Sequence, residues 1–79
     1  MEIEIRLFAN LAKLLPEGSK NKRAKIIVRD DITINELLNE LKIPSNVTNV
    51  IMVNGIHQNR DVKLKEGDVL SVIPPVTGG

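Results

Sequence analysis

The chain has 79 residues, 42% hydrophobic and 27% charged, which makes one small folded domain with little room for a deep substrate pocket. Eleven Lys and Arg against ten Asp and Glu leave a net charge of +1, and Phe8 is the only aromatic residue. The chain therefore has neither the cationic surplus nor the stacking platforms of a nucleic-acid binder, and the absence of cysteine excludes disulfides and thiolate chemistry and suits a reducing compartment.

Met1, Ile3, Ile5 and Leu7 alternate with Glu2, Glu4 and Arg6, a period-two strand with one buried face. The charges also rule out a signal peptide, and no stretch is long enough to cross a membrane, so a cytoplasmic location is expected. From Ala9 to Leu15 the period changes: Phe8, Leu11, Leu14 and Leu15 fall at helical spacing before Pro16-Glu17-Gly18 stops the turn. Lys20 to Arg23 reads as a loop, its cations with Lys25 a solvated face, and Ala24 to Arg29 as a second strand with Ala24, Ile26 and Val28 on one side.

Thr33-Ile34-Asn35-Glu36 is a capping box, in which Thr33 and Glu36 satisfy each other's amides at a helix start. Ile34, Leu37, Leu38 and Leu41 behind it form one apolar stripe, and Pro44 is the expected stop. Val50 to Val53 is an apolar run of strand length closed by the turn pair Asn54-Gly55, with Ile56 to Gln58 as a short returning strand. Lys65-Glu66-Gly67-Asp68 makes a second turn before a last strand from Val69 to Ile73. The economical architecture is α+β: a sheet of four to five strands with one main helix packed across it, over residues 1–74.

Conventional chemistry is not visible. His57 has no second histidine or cysteine at metal-ligand or catalytic spacing, so it reads as a surface residue. Asp30-Asp31 precedes the Thr33 cap, where negative charge favours the helix dipole. Ser19, Ser45 and Ser71 have no neighbouring base, and Asn46-Val47-Thr48 is a chance sequon in a protein that is not secreted. What remains is the ending Pro74-Pro75-Val76-Thr77-Gly78-Gly79. Two prolines fix φ and project the chain from the sheet, and two glycines without Cβ can thread a narrow channel and present an unhindered carboxylate. Residues 75–79 thus read as a flexible tail built for chemistry on its terminus.

With these residues in view the chain resembles the MoaD/ThiS sulfur carriers, most of all the small subunit of molybdopterin synthase. The resemblance runs over essentially the whole chain. It rests on Leu7-Phe8-Ala9, Thr33-Ile34-Asn35-Glu36-Leu37, Val53-Asn54-Gly55, Leu64-Lys65-Glu66-Gly67-Asp68 and, most specifically, Ile73-Pro74-Pro75-Val76-Thr77-Gly78-Gly79. It implies a β-grasp, ubiquitin-like fold and a non-catalytic carrier whose Gly79 carboxylate is adenylated and converted to a thiocarboxylate. ATP is used by an E1-like, MoeB-like adenylyltransferase, a persulfide donor supplies the sulfur, and a MoaE-like large subunit receives the tail. In that scheme Gly78, Thr77, Val76, Pro75 and Pro74 give access, while this chain binds no cofactor or metal and supplies no catalytic side chain.

Strand parity adds a docking patch. Leu70 and Val72 fall on the buried side of the last strand, and Val69, Ser71 and Ile73 on the other. Phe8 and Ile73 are then apolar residues on a mostly polar face near the tail exit, a pattern that marks partner sites. The resemblance places apolar partner contacts at the same positions. The alternative is that Phe8 caps the core beside Leu11 and Leu15. Two other functions share the fold: a thiamine-type sulfur carrier, which the Pro-Pro-Val-Thr lead-in fits less well, and a ubiquitin-like modifier of lysines. The modifier often carries Arg before its glycines, where Val76-Thr77 stands here.

Overall fold

The structure, a computed structural model, describes residues 1–8, 23–43 and 50–74. The short helix expected over Ala9 to Leu15, Pro44 and the tail from Pro75 lie outside the described residues, as does the loop expected over Lys20 to Arg23 except for Arg23, which opens a strand instead.

Among the described residues, five strands and one helix follow in the order β1 (Glu2–Leu7), β2 (Arg23–Ile27), α1 (Ile34–Glu40), β3 (Val50–Val53), β4 (Ile56–His57) and β5 (Val69–Ile73). In the sheet they lie β2-β1-β5-β3-β4. β1 and β5 run parallel at its centre, with Ile5 beside Leu70 and Leu7 beside Val72, and the other pairings are antiparallel. This is the β-grasp arrangement. The expected strand bounds shift by one or two residues at β1, β2 and β4, where the ladder ends before the alternation does.

Strand parity holds. Ile3, Ile5 and Leu7 of β1, Ile51 and Val53 of β3, and Leu70 and Val72 of β5 are all buried against Ile34, Leu37 and Leu38 of α1. Ile32, Ile43 and Leu64 close the ends of this core, while Ala24, Ile26, Val28 and Leu41 pack half-buried at its margin. Each of the larger side chains withdrawn from water contributes roughly 1.5–3 kcal/mol.

The helix begins as its capping box requires. Thr33 Oγ1 accepts from the Glu36 amide at 3.1 Å, and Glu36 Oε1 accepts from the Thr33 amide at 3.0 Å. Asp30 and Asp31 do not sit on the helix start: they form a turn before it, with Asp31 at φ 68°, and the acidic residue of the first helical turn is Glu36. The stop also differs from expectation, because the helix ends at Glu40, before Pro44. The Lys42 amide donates to the Asn39 carbonyl at 3.0 Å and the Ile43 amide to the Leu38 carbonyl at 2.9 Å. Those two bonds make a Schellman cap, and its left-handed position is held by Lys42 at φ 61° where glycine is usual. Ile43, 2% exposed, drives this turn by burying itself in the core beside Leu38.

Asn54 and Gly55 take φ 53° and 82°, the two positive values a type I′ hairpin turn needs, and join β3 to β4. Gly67 at φ 84° does the same service in the turn before β5, where its amide donates to the Glu2 carbonyl at 2.8 Å.

Candidate functional site

Among the described residues, α1 covers one face of the sheet and nothing covers the other. On it the register sets side chains in rows across the strands. Arg23, Arg6, Ser71, Met52 and His57 form one such row, running β2-β1-β5-β3-β4. Lys25, Glu4 and Val69 form the next row away from Pro74. Arg6 and Arg23 bring like charge together, and Glu4 answers it: Arg6 Nε donates to Glu4 Oε2 at 2.5 Å, with Lys25 as Glu4's partner across the ladder. At partial exposure this ion pair contributes little to stability and mainly sets the polarity of the face.

The row nearest Pro74 is different. Ile73 pairs with Val50 on one side, and on the other the Phe8 amide donates to the Val72 carbonyl at 3.3 Å, which carries β1 one step further and sets Phe8 beside Ile73. Phe8 is 37% exposed, Val50 is 42% exposed and Ile73 half-buried. Three neighbouring strands therefore present an apolar edge at the point where β5 hands the chain to Pro74, and Met52, half-buried in the adjoining row, extends it.

The structure thus brings Phe8 and Ile73 together, as strand parity suggested. It adds Val50 and Met52, which sequence reasoning passed over. Their run, Val50-Ile51-Met52-Val53, is apolar throughout and shows no alternation to tell its two sides apart; in the fold only Ile51 and Val53 face the core. The signal that could have found them was the single main helix expected: among the described residues α1 covers one face of the sheet, so alternate residues of β3 lie on the other. Pro74 leaves the last strand half-buried. Pro75, Val76, Thr77, Gly78 and Gly79 lie outside the described residues.

Among the described residues two other large apolar side chains are exposed, Ile27 at 76% and Ile56 at 62%, and they stand singly on the outer strands β2 and β4. An open depression of about 260 Å³, lined by Glu2, Ile3, Glu4, Lys25, Gly67 and Val69, lies toward the opposite end of the face, and its Glu4 is already engaged by Arg6. His57 is exposed and stands across from Met52. Among the described residues no group of three or more His, Asp or Glu is arranged to hold a metal ion, and no helix is long and apolar enough to cross a membrane. Among the described residues the perturbed ionisable groups are Glu36 of α1 and Arg29, which follows β2 and pairs with Glu36 and Glu40. Hydrogen bonds from the Thr33 amide and hydroxyl, and then from Arg29, hold the Glu36 carboxyl below its usual range, while Glu40 and Glu36 raise the Arg29 guanidinium. What the arrangement offers is an exposed apolar edge where β5 passes to Pro74.

The comparisons with known proteins point the same way. No curated protein matches the chain. Among solved structures, it is 27% identical to SAMP1 from Haloferax volcanii, covering 100% of both chains with a TM-score of 0.74. It is 25% identical to a putative molybdopterin converting factor, subunit 1, from Pyrococcus furiosus, over 95% of this chain and 98% of that one, with a TM-score of 0.72. In the complex of subunits 1 and 2 of the molybdopterin-converting factor from Helicobacter pylori, one chain is 29% identical over 100% of both chains, with a TM-score of 0.61. Residues 5–79, from within β1 through the Gly-Gly ending, match the ThiS family, and the chain belongs to it.

Proposed function

We propose that this protein is a cytoplasmic sulfur carrier, the small, non-catalytic subunit of a molybdopterin synthase. The observation that carries this reading is the family match running through Gly79, joined to a sheet whose apolar edge lies at the root of that tail. The Gly79 carboxylate attacks the α-phosphate of ATP on an E1-like, MoeB-like adenylyltransferase; pyrophosphate leaves and an acyl adenylate forms. The terminal sulfur of a persulfide donor attacks the acyl carbon and AMP departs. A thiol then cleaves the resulting sulfur–sulfur bond, leaving the thiocarboxylate on Gly79 and a disulfide on the donor side. The tail, Pro74 to Gly78, enters a MoaE-like large subunit and delivers sulfur to a pterin precursor. Phe8, Ile73, Val50 and Met52 dock against these partners, and the chain itself holds no cofactor.

The likeness to a chain of the Helicobacter pylori complex of subunits 1 and 2 supports the large-subunit partner. A second reading, a ubiquitin-like modifier joined to lysines, is favoured by the likeness to SAMP1, and to small archaeal modifier protein 1 of the same organism at 26% identity over 95% of this chain. One experiment separates them: the intact mass of the chain expressed beside its native adenylating enzyme, ATP and a sulfur source. Replacement of one oxygen by sulfur, mapped to Gly79, is expected for the carrier. An unchanged mass with a ladder of larger lysine-linked species instead would assign the modifier.

A further inference from the structure

The turn Asn54-Gly55 carries a chemistry that the carrier function does not use. An asparagine followed by glycine is the pair most open to self-cyclisation, because no side chain on the second residue hinders its backbone nitrogen. In the folded chain the Asn54 side chain is committed at both ends. Its Oδ1 accepts from the Val69 amide at 2.9 Å, and its Nδ2 donates to Asp68 Oδ1 at 3.0 Å. Its own amide donates to the Val69 carbonyl at 2.9 Å, so Asn54 ties the β3–β4 turn to the start of β5. The second Asp68 oxygen, Oδ2, accepts from the Lys65 amide at 2.8 Å and is occupied in holding the preceding turn. The site is open to water: Asn54 and Gly55 are exposed, and nothing lies within 4 Å of where a Cβ on Gly55 would be.

We infer that Asn54 is a hydrolysis-prone latch, a modification site guarded by Asp68 and Val69 while the turn is closed and lost irreversibly when it opens. With the two hydrogen bonds broken, the Gly55 nitrogen attacks Asn54 Cγ. The N–Cγ bond forms, the Gly55 amide proton and the Nδ2 group leave together as ammonia, and a cyclic imide remains. Water opens either carbonyl of that ring, giving aspartate or isoaspartate at position 54. Water enters, ammonia leaves, and nothing is oxidised or reduced. The product cannot re-form the latch, because a carboxylate now faces Asp68 Oδ1 where a donor stood, and two close carboxylates repel. The turn before β5, the strand that leads to Pro74, then loses its side-chain tie through Asp68, and the backbone bond from the Asn54 amide to the Val69 carbonyl is left to hold it alone.

The test is to hold the full chain in neutral buffer, folded or in concentrated urea, and follow conversion at Asn54 by peptide mass mapping. Conversion is expected to be fast in urea and slow in the folded chain. In folded Asp68→Ala it is expected to be about five- to thirty-fold faster than in the native chain, the effect of losing one guarding bond. Equal rates in the folded and unfolded chain, or in the native chain and Asp68→Ala, would overturn the proposal. A second arm needs no ageing. Asn54→Asp should melt below the native chain at neutral pH, and Asn54→Asp with Asp68→Asn should recover most of that loss. The exchanged pair keeps every bond: the side-chain amide now at position 68 would donate to the carboxylate at position 54, and its oxygen would still accept from the Lys65 amide. An Asn54→Asp chain as stable as the native one would sink the latch.

Discussion

The Phe8 amide donates to the carbonyl of Val72 at 3.3 Å, one residue beyond the end of β1. That bond keeps Phe8 on the open face beside Ile73, and Ile73 in turn lies beside Val50. The apolar edge at the root of the tail is thus assembled from three strands. Replacing Phe8 with Ser, or Ile73 with Ser, should weaken binding to the large subunit or to the adenylating enzyme about tenfold or more, as for an anchoring residue. Because these side chains remain partly exposed, the folded chain should melt within a few degrees of the native one. Calorimetric binding beside thermal unfolding checks both; an unaltered affinity for both partners would remove the edge from the docking surface.

Among the described residues, the buried side chains all lie between Ile3 and Val72. Deleting Gly78 and Gly79 should therefore leave the unfolding transition unchanged while abolishing adenylation, read as ATP–pyrophosphate exchange. A truncation that unfolded the domain would show that the tail contributes to the core.

Glu36 links stability to acid. Its carboxyl is held below the ordinary value of 4.5, first by the Thr33 amide, then by the Thr33 hydroxyl and Arg29. A depressed carboxylate contributes stability that is present above its unfolded value and fades as pH falls through the lower folded one. Glu36→Gln keeps an acceptor for the Thr33 amide but cannot titrate. The variant should be slightly less stable at neutral pH, and should show a shallower loss of stability below about pH 4.5 than the native chain. Chemical unfolding at a series of pH values measures the difference; parallel curves would deny Glu36 this role.

Lys42 occupies the left-handed position of the helix C-cap at φ 61°, where a side chain is strained and glycine is not. Lys42→Gly should raise stability by about 0.5–1 kcal/mol, the reverse of most glycine substitutions, and should leave partner binding unchanged. Denaturant midpoints at constant slope provide the check.

At the centre of the sheet, Leu70 is fully buried beside Ile5. Leu70→Ala leaves a cavity in the core between the sheet and α1 and should cost about 2–5 kcal/mol, a large share of the stability of so small a domain. A loss below about 1 kcal/mol by urea unfolding would mean that the helix had settled into the space.

Much of this protein was legible residue by residue. The alternation of Ile3, Ile5 and Leu7 with charges, the Thr33–Glu36 capping box, the Asn54-Gly55 turn and the buried parity of Leu70 and Val72 each depend on neighbours within a few positions. Such patterns survive in the sequence because backbone geometry repeats every two or 3.6 residues. The Gly-Gly ending is legible for the same reason, being a property of the residues themselves. The tertiary structure decided what parity leaves open. A strand's alternation says which face is buried, not which strand lies beside it. The parallel pairing of β1 with β5, and with it the meeting of Phe8, Ile73 and Val50, had to come from long-range hydrogen bonds. The helix stop at Glu40 was likewise settled by the burial of Ile43, as the Lys42 and Ile43 amides satisfied the Asn39 and Leu38 carbonyls ahead of Pro44. Asn54 read as a turn residue, and it became a tie to β5 only when folding brought Asp68 and Val69 within hydrogen-bonding distance of its side chain.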